Sequence, residues 1–206
     1  CFKASHQGIA MTLQQIWLAA SLAISALHAT AQTAAMPAAL PPVNAIVALD
    51  VPRYMGTWYE IAKFPNRFQR KCAAHARAHY LAQTDGSVQV LNSCVTSDGS
   101  TIDALGLAKQ VGATTSPKLQ VRFAPAWLSW LPMVWGDYWV IDLDADYQLA
   151  AVSDAKRDYL WVLSRTPQVD AKAYDALMAR LKAQHFEVQK LERTVQTSAP
   201  SSGGAP

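Results

Sequence analysis

The sequence predicts an all-β protein: eight antiparallel strands in up-and-down order, closed into a barrel, with one C-terminal α-helix packed on its outside. Three observations carry this prediction. Between Gly56 and Ser164, stretches rich in β-branched and aromatic residues recur at intervals of roughly ten, each bounded by turn formers, the rhythm of an antiparallel meander. The pairs Asp85-Gly86 and Asp98-Gly99 fall between such stretches and supply the positive φ that tight hairpins need. After Pro167 the apolar period changes from two to about four, which marks a single amphipathic helix.

Strands are expected at Gly56–Lys63, Ala74–Thr84, Ser87–Val95, Thr101–Gln110, Lys118–Ala124, Asp137–Leu143, Tyr147–Asp154 and Tyr159–Ser164. Short turns join them, and a meander of this kind hides its edges most simply by closing on itself. The helix is expected over Val169–His185, where Val169, Ala173, Leu177 and Leu181 recur at spacing four and Tyr174, Met178 and Phe186 widen the stripe. Its apolar face has the outer wall of the barrel to pack on. A short strand is expected to follow at Glu187–Leu191.

A chain of 206 residues suits one domain with unstructured ends, here a barrel domain over 46–195. At 51% hydrophobic and 16% charged, it is too apolar for a disordered protein. The net charge of +3 and the absence of a basic run argue against a nucleic-acid partner. Met11 is read as the start, and the apolar run Ile16 to Ala29, followed by the small-x-small triplet Ala29-Thr30-Ala31, as a signal peptide over 11–31. The run is too short to span a bilayer. Residues 32–45 then read as a flexible linker and 196–206 as a disordered tail. No Cys stands at the expected mature end just after the apolar run, so a soluble exported protein without a lipid anchor is expected. Cys72 and Cys94 are the pair left in the mature chain, and an exported compartment favours a disulfide between them. The sharper alternative makes one of them a catalytic thiol, although no His and Asn/Asp arrangement is evident to activate it.

The segment Val51-Pro52-Arg53-Tyr54-Met55-Gly56-Thr57-Trp58-Tyr59-Glu60-Ile61-Ala62 resembles the Gly-x-Trp signature on the first strand of the lipocalin family. Tyr138-Trp139-Val140-Ile141-Asp142 with Asp146-Tyr147, and Tyr159-Leu160-Trp161-Val162-Leu163-Ser164-Arg165-Thr166-Pro167, resemble its later signatures in the same order and spacing. The resemblance covers about Ala48 to Glu192 and is nearest to the bacterial Blc-type lipocalins. It implies a barrel that holds one small apolar ligand. It also implies structural roles for Gly56, Trp58 and Arg165, with Trp58 plugging the closed end and Arg165 packing across its ring, a contact worth about 0.5–2 kcal/mol. Many Blc-type proteins are lipidated at the N-terminus, whereas this chain lacks that Cys. The compartment implied is the periplasm, in association with the outer membrane.

Alternate side chains of a strand share a face, so a few anchors fix the lining. The resemblance supplies them: Tyr159, Trp161 and Leu163 inward on the eighth strand, Tyr138 and Val140 on the sixth, Ala151 and Ser153 on the seventh. By parity Ala78 and Tyr80 line the second strand and Val88, Val90 and Asn92 the third. Leu119, Val121 and Phe123 line the fifth. Aromatic walls mixed with Ala leave room for an acyl chain, and Tyr80, Asn92, Tyr138 and Ser153 offer polar tips. The plain alternative is a filled core. A fatty acid or a lysophospholipid is the expected ligand.

The fifth-to-sixth connection, Pro125 to Gly136, carries Trp127, Trp130 and Trp135 at the expected cavity mouth. Phe64 and Phe68, beside Arg67, Arg70 and Lys71, extend this rim, where the cations could meet an anionic head group. The loop reads as a ligand entrance or a lip that touches a membrane. The plain alternative is a loop folded over its own barrel or paired in a homodimer.

Chemistry is sparse elsewhere. His75 and His79 share a face at spacing four, but parity places them outside the barrel, so no metal site is expected. Asp142-Leu143-Asp144-Ala145-Asp146 begins like a calcium loop, yet Tyr147 stands where Gly is required and Ser153 where Glu is, so it reads as a hairpin turn. Hydrolase and cofactor fingerprints are missing, and no cofactor and no catalytic residue are assigned. The expected function is to bind, store or carry lipid-like ligands. A thiol-dependent enzyme and an interaction module working through the Trp-rich loop are the alternatives.

Overall fold

The computed structural model describes residues 39–197, so the expected signal peptide, and the tail beyond Thr197, lie outside the described residues. Eight strands form the wall: β1 (Gly56–Lys63), β2 (Cys72–Ala82), β3 (Val88–Thr96), β4 (Thr101–Gln110), β5 (Lys118–Arg122), β6 (Gly136–Leu143), β7 (Leu149–Ser153) and β8 (Leu160–Ser164). Each pairs antiparallel with the next, and β1 pairs with both β8 and β2, which closes the barrel. Closure leaves no long edge to template aggregation. Gly86 and Gly99, at φ +81° and +84°, make the two hairpin turns that the sequence points to. Asp144 makes another: its carboxylate accepts from Gln148 N at 2.7 Å and Leu149 N at 2.6 Å, so the calcium-like stretch is spent on capping a hairpin.

A single-turn helix, α1 (Val51–Tyr54), precedes the barrel; Asp50 caps it by accepting from Arg53 N at 3.2 Å, and Pro52 sits in its first turn. It lies across the closed end. Trp58 is fully buried there, and its indole N–H donates to Tyr54 O at 2.8 Å. The Arg165 guanidinium stands 4.0 Å from the Trp58 ring centre, as the family resemblance implies. It also donates to Thr57 O at 3.0 Å, Arg53 O at 2.7 Å and Tyr147 O at 3.3 Å. Gly56 holds φ +91°, with the Arg165 guanidinium 3.4 Å from where a Cβ would stand. Positive φ and this close approach both favour glycine.

The helix α2 (Ala171–Ala183) is capped by Asp170, which accepts from Ala173 N at 2.9 Å. Leu177 and Leu181 are fully buried on its barrel side, in a cluster with Ile61, Ile141, Ala151 and Val162 on the outer wall. Each such leucine contributes roughly 1.5–3 kcal/mol by leaving water. Arg180 fixes the helix azimuth by a two-pronged ion pair with Asp142, at 2.7 and 2.9 Å.

Two expectations about the ends change. The strand expected at Glu187–Leu191 is a 3-10 turn, Val188–Lys190, followed by a two-residue strand β9 (Glu192–Arg193) on β1. Val188 and Leu191 both pack in the outer cluster, and a spacing of three shares a face in a 3-10 turn but not in a strand. Residues 40–45, expected within a flexible linker, pack against the barrel: Val43 is buried, and Pro41 O accepts from the Arg157 side chain at 2.8 Å. Among the described residues no helix is long and apolar enough to cross a membrane.

Replacing Arg165 by Leu removes the ring contact and strips three backbone carbonyls of a donor. The unfolding free energy is expected to fall by about 2–4 kcal/mol in urea titration. A loss below 0.5 kcal/mol would show that the floor does not depend on this cation.

Candidate ligand cavity

The inner face of the wall encloses a cavity of about 860 Å³ that opens at the end carrying the β1–β2, β3–β4, β5–β6 and β7–β8 connections. Small side chains make the room. Ala78 on β2 and Ala104 and Ala108 on β4 face inward, where longer residues would fill the barrel. Val88, Val90, Leu119 and Val121 line the neighbouring wall, with Trp161 and Leu163 opposite. Tyr159 stacks on Trp161 at 5.7 Å between centroids and meets Phe68 of the β1–β2 loop at 5.6 Å, forming an aromatic shelf under the mouth. Phe123 lies just past the end of β5; its ring is 2.7 Å from the Cβ that Gly106 lacks, so only glycine fits below it.

Polar groups gather at two depths. On the floor above Trp58, the Tyr54 and Tyr80 hydroxyls each lie 2.9 Å from the Tyr138 hydroxyl. Burial raises the phenol pKa of all three, that of Tyr80 to about 12, so they stay protonated through neutral pH. Higher on the wall, Glu60 is only 4% exposed although it lines the cavity. Its carboxylate accepts from Thr194 Oγ1 at 2.5 Å and from Gln69 Nε2, while Gln69 Oε1 accepts from the Trp161 indole at 2.9 Å. Loop, wall and C-terminal segment thus meet at one carboxyl.

Most residues picked out from the sequence come together here: Ala78, Tyr80, Val88, Val90, Asn92 and Val121 line the cavity, as do Phe123, Tyr138, Tyr159 and Trp161. Val140 is buried in the inner cluster but does not border the cavity. The seventh strand is reversed. Ala150 and Val152 point inward, whereas Ala151 joins the outer cluster and Ser153 donates to Tyr159 O at 2.6 Å, away from the cavity. Val152 pairs with Trp161 across the sheet, and directly opposed residues share a face, so an inward Trp161 requires an inward Val152.

Phe64 is also corrected: it is buried in the outer cluster beside the helix and does not form part of the rim. Of the loop tryptophans, Trp135 borders the cavity, while Trp127 and Trp130 are 74% and 75% exposed beyond it. His75 and His79 lie outside, bonded to Thr197 and Thr57 hydroxyls at 3.0 Å each.

Cys72 and Cys94 form a disulfide between β2 and β3, with Cα atoms 5.5 Å apart. Neither sulfur is the free thiolate that a thiol-dependent reaction needs. Tyr54, Gln69 and Glu60 are among the cavity residues that the sequence reading does not single out, as are Ala104 and Ala108 of β4. Tyr54 belongs to a helix too short for periodicity to reveal, and nothing in the sequence marks Gln69. Glu60 was within reach, since it stands two residues after Trp58 on the same face.

The family model of the lipocalin-like domain matches residues 49–196. The chain belongs to the lipocalin family. It is 40% identical over 160 residues to temperature-induced lipocalin-1 of Arabidopsis thaliana, covering 77% of this chain and 85% of that protein. It is 37% identical over 153 residues to the outer membrane lipoprotein Blc of Escherichia coli K12, covering 73% and 82%. Insecticyanin of the tobacco hornworm Manduca sexta shares the fold, with a TM-score of 0.60 at 17% identity over 81% of this chain and 90% of that one. Lipocalins generally bind small hydrophobic ligands and are generally not enzymes.

Burial holds the Glu60 carboxyl above its ordinary value of 4.5, against the pull of bonds from Thr194 and Gln69 and the charge of Lys63. The folded state therefore binds this proton more tightly than the unfolded chain. Stability falls as pH rises from the ordinary value through the raised one. Glu60→Gln is expected to flatten that slope in urea midpoints measured across the interval; an unchanged slope would assign it to other groups.

Proposed function

We propose that this lipocalin binds and carries a single-chain amphiphile, a fatty acid or a lysophospholipid, with its acyl chain inside the barrel and its head at the mouth. The observation that carries the reading is the cavity itself: its volume lies within the ~300–1,000 Å³ of small-molecule sites, and its walls are mostly apolar. Arg67 and Lys156 border the opening, where a phosphate or carboxylate head would meet them. Export to the bacterial envelope, with action at or near the outer membrane, fits the similarity to proteins named outer membrane lipoprotein. In that setting the ligand is a product of membrane turnover.

Protein purified from Gln32 onward should retain extractable lipid in native mass spectrometry and quench Trp161 on titration with a fluorescent fatty acid. Saturable one-to-one binding is expected, and Ala78→Trp with Val121→Trp should weaken it at least about tenfold by filling the cavity. A dry barrel without quenching would mean that the interior holds no ligand.

A second reading is favoured by one observation. Trp127, Trp130 and Met133, at 74%, 75% and 85% exposed, form an apolar edge on the mouth loop, the kind of surface that marks an interaction. We propose that this edge dips into a lipid surface and so brings the cavity to its ligand. Trp127→Ser with Trp130→Ser should abolish sedimentation with anionic vesicles and leave titration by a soluble ligand unchanged. If the double variant instead converts a homodimer to a monomer with no change in vesicle binding, the loop is a protein interface.

A further inference from the structure

Three phenols on the cavity floor carry three O–H protons and make two hydrogen bonds among themselves, both to Tyr138. A bond between two hydroxyls consumes one proton, whichever of them donates. One proton is therefore left over in every arrangement of donors. The two bonds are the only ones that these hydroxyls make among the described residues. The three rings belong to the apolar cluster that also holds Trp58, Leu49 and Leu163. Tyr54 and Tyr80 are themselves stacked, 5.7 Å between centroids and 13° from parallel, and Tyr54 rests on Trp58 at 4.8 Å, so the hydroxyls are held in place.

A buried donor without a partner is destabilising, and the methyl end of a plain acyl chain cannot accept. We propose that Tyr54, Tyr80 and Tyr138 form a deep subsite for one neutral acceptor oxygen, a keto or hydroxyl oxygen at the inner end of the ligand. The preferred amphiphile is then oxygenated at both ends, its charged head at the mouth and a second oxygen on the floor. An ionised carboxylate does not fit there. The cation whose charge reaches Tyr54 and Tyr80, Arg165, lies against the Trp58 ring and is committed to three backbone carbonyls, so a buried anion would have no partner. This inference rests on the reading that the barrel interior is the ligand site.

The test compares two probes that share a head too polar to enter: palmitoyl-lysophosphatidylcholine and its analogue with a ketone on the penultimate chain carbon. The ketone is expected to bind about tenfold more tightly. Its isotope-labelled carbonyl stretch should move to lower frequency on binding. Tyr54→Phe leaves two hydroxyls, one bond and still one spare proton, so the preference should survive it. Substituting all three tyrosines by Phe should erase both the preference and the frequency shift. Equal affinity of the two probes for the unsubstituted protein would overturn the subsite whatever the variants do, and would leave the cavity reading intact. Binding of neither probe would overturn the cavity reading and the subsite with it.

Discussion

The Arg165 guanidinium is the group on which the rest of the structure depends. A barrel closed only by its ladder would be a tube open at both ends, and water entering from below would remove the reason for an apolar lining. Arg165 ties Arg53 of α1, the second residue of β1 and the β6–β7 hairpin together through their carbonyls while its flat face covers Trp58. A lysine could supply the charge but not the planar fork and the stacking face together. One side chain thereby makes a floor, and a floor turns a tube into a cup.

The cup keeps room inside for a reason of size and stays upright for a reason of packing. On the inner face, Ala78, Ala104 and Ala108 stop short of the axis. On the outer face, Leu177, Leu181 and Phe186 press against Ile61, Ile141, Leu149 and Leu160 in a second core. A protein interior normally closes its voids, because lost dispersion contacts and lost burial both cost free energy. Placing a full core between helix and wall lets the barrel keep a cavity on its inner side. The helix is thus a counterweight to the cavity more than a decoration of it.

Much of this was legible in the sequence, and the failures share a cause. Strand positions agree to within about two residues because the period-two pattern and the turn formers both act locally. The disulfide followed from counting cysteines. Facing on β7 differs from the expectation because Val152 stands directly opposite the inward Trp161 of β8 and so shares its face. The register also shifts between Val140 and Asp142, and between Glu60 and Ala62, and a bulge resets the alternation that parity relies on. After the second of these shifts Ile61 and Ala62 both face the helix, and Phe64 follows them out of the rim. Tertiary contacts that have no local signal, such as Val43 on the outer wall or Gln69 on Glu60, could not be read from the chain.

The wall is not uniform around its circumference, and the C-terminal segment shows where it is weakest. β1 and β2 pair only from Gly56↔Tyr80 to Tyr59↔Arg77, and beyond that they part toward the mouth. Into the opening comes the stretch after α2: Thr194 N donates to Ile61 O at 3.0 Å, His75 N donates to Val195 O at 2.8 Å, and the Gln196 amide bridges Glu60 O and Ala76 O at 2.9 and 2.7 Å. Each of these bonds satisfies a backbone group that separation of the two strands would otherwise leave unpaired. The same stretch brings Thr194 to the Glu60 carboxylate. A carboxyl group is costly inside an apolar wall, yet here it is the point at which the seam, the entrance loop and the lining hold together. The barrel is therefore sealed at its floor by a cation and near its mouth by a carboxyl. The first seal is made within the signature segments and the second depends on Thr194 and the residues that follow it after α2.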